Sequence, residues 1–173
     1  MTTDWETLSK KLGVLQANGS ELYSSQSMQA LEEILGNEWI EHTIDYFIEG
    51  GKGNELAIKT VRRIGSNKAA DYTIDVFNQN KETDIQKASM ALWAMNEVRM
   101  SKCIDFAEIA MKNPQFKRIA LSIVRNLIFD NCLAFEEIKL YEILNKFDSG
   151  FVEDIAVLKI FINNEFRRYE NGN

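Results

Sequence analysis

The sequence predicts an all-α fold, an α-α superhelix of about five antiparallel helix pairs. Three observations lead there. Five segments can be laid over one another with small residues and aliphatics in register, beginning at Ser27, Ala57, Ala88, Ala120 and Ala156, with successive starts 30, 31, 32 and 36 residues apart. In each, a small residue is followed by an apolar position four residues on and another three later, which marks one stripe of a helix. Between these segments run other amphipathic stretches, and turn residues fall at the junctions.

Taken in order, a first helix runs from Asp4 to about Gln16, and Ala17-Asn18-Gly19-Ser20 breaks it with turn formers. The block at Ser27 follows. Amphipathic stretches are expected from Asn37 to Glu49, Asn67 to Asn78, Ser101 to Lys112 and Ala134 to Phe147, the first carrying Ile40, Ile44, Phe47 and Ile48 three and four apart. The blocks at Ala57, Ala88 and Ala120 supply the second helix of each pair, and a last helix runs from Val152 to about Arg168. Gly36-Asn37, Gly50-Gly51-Lys52-Gly53-Asn54, Gly65-Ser66-Asn67, Asn113-Pro114 and Asp148-Ser149-Gly150 provide caps and turns. Asn113 must also end a helix, because the residue before proline avoids the helical region. No strand-like run or Asn-Gly hairpin interrupts the pattern. The fourth interval is expected to reflect a longer helix around Phe135 to Phe147. The last block has Asn163 in its final aliphatic slot, a polar departure expected of a terminal cap.

With 173 residues, 45% apolar and a single proline, one domain spanning 1–173 is expected. The net charge of −6 weighs against a general nucleic-acid binder. It favours rapid encounter with a basic partner. The start, Met1-Thr2-Thr3-Asp4-Trp5-Glu6, reads as no secretory signal, and no apolar stretch approaches the roughly 20 residues of a membrane span. The expected location is the cytoplasm, with no membrane partner.

The inventory for chemistry is short. His42 is the only histidine, with Glu38, Glu41 and Asp45 around it on one helix, and a solvated acidic face is the expectation. Cys103 and Cys132 form no Cys-x-x-Cys pair and read as buried small hydrophobes. The glycine-rich run at Gly50–Asn54 lacks the Gly-Lys-Ser/Thr and preceding strand of a phosphate loop, so it reads as a turn. No catalytic residue, metal site or cofactor is expected, and the chain reads as a non-enzyme.

Ala57-Ile58-Lys59-Thr60-Val61-Arg62-Arg63-Ile64-Gly65 resembles the second helix of a HEAT-like repeat, in its short form of roughly 30 residues. The resemblance covers almost the whole chain. Armadillo-like or irregular α-α stacking shares the same small-x-x-apolar-apolar pattern. In HEAT-like stacks the second helices line an inner, concave side, so the resemblance implies an acidic outer face carrying Glu38, Glu41, Asp45 and Glu49. The inner face would have a basic middle that includes Arg62, Arg63, Arg118 and Arg125. Equivalent inner slots are Glu32, Arg62, Trp93, Arg125 and Phe161. Two arginines around a tryptophan suit a contact ridge, and Arg62, Arg63, Trp93, Arg125 and Asn126 are the candidate partner-binding residues. The competing reading places Trp93 in the core and pairs the arginines with Asp71 or other loop acids.

A small, acidic, all-helical chain is also similar to immunity proteins of bacterial polymorphic and contact-dependent toxin systems. That likeness rests on size, charge and fold class, and implies a protein that binds one toxin domain, often a basic nuclease, and blocks it. A second resemblance, to HEAT-like DNA glycosylases, implies nucleic-acid binding through Arg62, Trp93 and Arg125, against which the acidic total counts. An accessory or scaffolding role, by analogy with short HEAT-like repeats of bilin-lyase proteins, rests on fold alone.

Overall fold

The computed structural model describes residues 29, 32–33, 36–49, 58, 61–62, 66–147 and 149–172. Among them the regular structure is helical, with no strand. Among the described residues seven α-helices have defined bounds, α1 (Trp39–Ile48), α2 (Ser66–Asn80), α3 (Ile85–Val98), α4 (Cys103–Ala110), α5 (Lys117–Asn131), α6 (Glu137–Asn145) and α7 (Val152–Gly172), with 3-10 turns at Cys132–Ala134 and Ser149–Phe151. The expected helix Asp4–Gln16, the turns at Ala17–Ser20 and Gly50–Asn54, and most of the first two aligned blocks lie outside the described residues. The chain divides into two compact units, Met1–Met100 and Ser101–Asn173.

In the first unit α1 packs on α2 and α3, and α2 and α3 form a hairpin. Gly36 precedes α1 with φ +87°, and its N–H donates to the Glu32 carbonyl at 2.9 Å, the left-handed stop expected of this glycine. Trp39, Ile40, Ile44 and Ile48 bury one side of α1, and the buried Thr43 hydroxyl is satisfied by the Trp39 carbonyl at 2.6 Å. Asp84 starts α3 by accepting from the Lys87 N–H at 2.9 Å. The helix ends at Arg99, whose left-handed backbone (φ 56°) turns its N–H onto the Met95 carbonyl at 3.1 Å. No glycine or proline in the sequence announces that stop.

The second unit contains the α4–α5 hairpin and α7, which packs on α5, α6 and both 3-10 turns. Between α4 and α5 the Asn113 side chain accepts from the Gln115 N–H at 3.0 Å, making the expected break at Asn113-Pro114.

The aligned blocks can be tested on their buried positions. In α3 these are Ala88, Leu92 and Met95; in α5 they are Ala120, Val124 and Leu127, in the same slots. In the second block Ile58 and Val61 are buried as well. The last block departs. Ala156 and Ile160, placed in the recurring small-and-apolar stripe, are exposed, and Leu158 and Ile162 are buried instead. The cause is local: Ile155-Ala156-Val157-Leu158 and Ile160-Phe161-Ile162 are apolar on every side of the helix, so periodicity cannot choose a face. The fourth interval needs a correction too. α6 has only 9 residues, and the extra length is taken up by the 3-10 turns and their connections.

Candidate functional site

Trp93 lies on the side of α3 away from Ala88, Ala91 and Leu92 and is 40% exposed, so it belongs to the surface of the first unit and not to its core. One and two turns of the helix put Gln86, Met90, Trp93 and Glu97 on one stripe, with Gln86 and Trp93 exposed and Met90 and Glu97 half-buried. Arg62 is helical, half-buried and tied into an interaction of its own; Arg63 lies outside the described residues.

In the second unit Arg118, Ser122, Arg125 and Phe129 form the corresponding stripe of α5, with both arginines exposed. Asn126, beside it, is half-buried and engaged. Phe129 packs edge-to-face on Phe161 of α7, with ring centroids 4.9 Å apart and planes at 76°. Phe129 was missed in the sequence, although it stands one turn after Arg125 on the same face. The candidate ridge residues therefore fall in different units. Arg62 and Trp93 belong to the first, Arg125 and Asn126 to the second.

The acid-rich helices are more neutralised than their sequences imply. Lys68 of α2 reaches Glu41 of α1 at 3.4 Å and donates to the Asn37 carbonyl at 3.0 Å, while the Tyr72 hydroxyl donates to Asp45 at 2.8 Å. Burial, the hydrogen bond to Asp45 and the charges of Asp45, Glu41 and Glu38 push the Tyr72 phenol well above its usual range, so it stays a donor. In the second unit Lys139 bridges to Asp105 at 2.6 Å, and Lys146 to Glu108. His42 sits 3.6 Å from Glu38 with both side chains exposed, as a surface histidine on an acidic face should.

Both cysteines are buried and unpaired with each other. Burial, reinforced by Glu165, pushes the Cys132 thiol up, which keeps it protonated and a poor nucleophile at neutral pH. Among the described residues no group of three or more His, Cys, Asp or Glu could hold a metal ion, and no helix is long and apolar enough to cross a membrane. No protein-family model, curated protein or solved structure matches the chain.

Proposed function

We propose that the chain is a HEAT-like α-solenoid that binds another protein in the cytoplasm, and most specifically an immunity protein that neutralises a basic toxin domain. The observation that carries this reading is Trp93. A tryptophan 40% exposed on a well-packed second helix is a surface anchor of the kind that dominates binding interfaces. Two features support it. The exposed Arg118 and Arg125 occupy the outward stripe of α5, and the buried positions of α3 and α5 repeat at a 32-residue interval. The net charge of −6 suits electrostatic approach of a basic partner.

The test is capture of partners by the tagged chain from its native cells at low and moderate salt, followed by binding of the isolated partner to a Trp93→Ala/Arg125→Glu double variant. The expected result is one stoichiometric protein, retained at moderate salt, whose toxicity the chain suppresses. The double variant should bind about 30-fold more weakly or worse, the effect of losing one anchor residue, with its helical signal intact. Recovery of nucleic acid that disappears as salt rises would overturn the reading in favour of phosphate contacts.

A further inference from the structure

The outward face of α7 keeps aliphatic side chains in water. A helix face turned to water is expected to be polar. α7 instead buries only Leu158 and Ile162 while leaving Val157 57% and Ile160 62% exposed. At 3.6 residues per turn, Glu153, Val157, Ile160, Asn164, Arg167 and Arg168 all fall within about 60° of one line along the helix, opposite the buried pair. The stripe is ordered. Acids (Glu153, with Asp154 beside it) open it, aliphatics fill the middle, and two arginines close it, every one of them exposed.

Such a stripe is complementary to itself in one orientation only. Laid parallel, two copies set acid against acid and arginine against arginine. Laid antiparallel about a two-fold axis beside Ile160, Glu153 faces Arg168 of the second copy and Val157 meets Asn164, with Asp154 and Arg167 flanking the contact. The same contacts recur at the other end, as a closed two-fold interface requires. Arg168 already holds Glu165 of its own helix at 2.8 Å, but a guanidinium has five donors, so it can also reach a second carboxylate. We propose that the chain forms a homodimer through antiparallel packing of α7 against α7 of a second copy. A single pair of helix faces is a small interface, so the dimer is weak and concentration-dependent.

Sedimentation velocity on the full chain from about 1 to about 300 µM brackets such an interface. The expected mass rises from that of the 19.9 kDa chain toward twice that value. Ile160→Asp should leave the helical signal unchanged and hold the chain monomeric. Glu153→Arg/Asp154→Arg should weaken association at least tenfold, and adding Arg167→Glu/Arg168→Glu should restore it. That restoration separates pairing from a simple effect on the helix, because full reversal opposes the helix dipole at both ends and would otherwise only worsen matters. A monomer at the highest concentration, a dimer that survives Ile160→Asp, or a fourfold reversal that fails to recover would each overturn the proposal.

Discussion

Replacing Tyr72 by phenylalanine removes one oxygen and leaves the ring in place, so it isolates the clasp between α2 and α1. The hydroxyl donates to Asp45 at 2.8 Å from a half-buried position. Hydrogen bonds to charged acceptors contribute about 1.5–3 kcal/mol, and water can partly replace this one, which brings the expected loss to about 1 kcal/mol at pH 7. For a chain of this length that lowers Tm by about 2–4 °C. The pH dependence gives a sharper test. Burial, the Asp45 hydrogen bond and the surrounding carboxylates raise the folded-state phenol pKa above its unfolded value. The stability it contributes is therefore complete below an unfolded pKa of about 10 and declines as pH rises toward the folded pKa. At pH 10.5 an unfolded tyrosine is mostly ionised, so by linkage the native protein loses most of this contribution, a loss the phenylalanine variant does not share. The gap between the two should shrink from about 1 kcal/mol at pH 7 toward zero at pH 10.5. Urea unfolding followed by far-UV circular dichroism at both pH values measures it, and the remaining tyrosines and lysines cancel between the two proteins. A gap that is absent at pH 7, or unchanged at pH 10.5, would refute the clasp.

Two further substitutions probe the scaffold. Ile162→Ala, at one of the two fully buried side chains of α7, should cost about 2–4 kcal/mol, with hydrogen exchange accelerating first over residues 152–172. Gly36→Ala meets no atom within 4 Å, so its expected cost of about 1 kcal/mol in thermal unfolding comes from φ +87° alone, and Gly36→Asn should recover part of it.

The helical class was legible because its signals are local. The four amphipathic stretches and the last helix coincide with α1, α2, α4, α6 and α7 to within a few residues, since apolar spacing and turn chemistry act over short separations. The stop at Arg99 was not legible, because a side chain other than glycine takes the left-handed position there. The candidate ridge was legible in part. Sequence alone left Trp93 between core and surface, and its 40% exposure is fixed by which side of α3 meets α1 and α2.

By itself the sequence determined the helices, most of their ends and the slots that α3 and α5 bury, all of which follow from spacing along one chain. Tertiary structure decided the remainder. It neutralised Asp105 and Glu108 with lysines 34 and 38 residues away, and it turned Leu158 and Ile162 inward while leaving Val157 and Ile160 in water. The physical reason is the same in both cases. A salt bridge between helices depends on which helices become neighbours, and a helix apolar on all sides has no preferred face until another surface selects one.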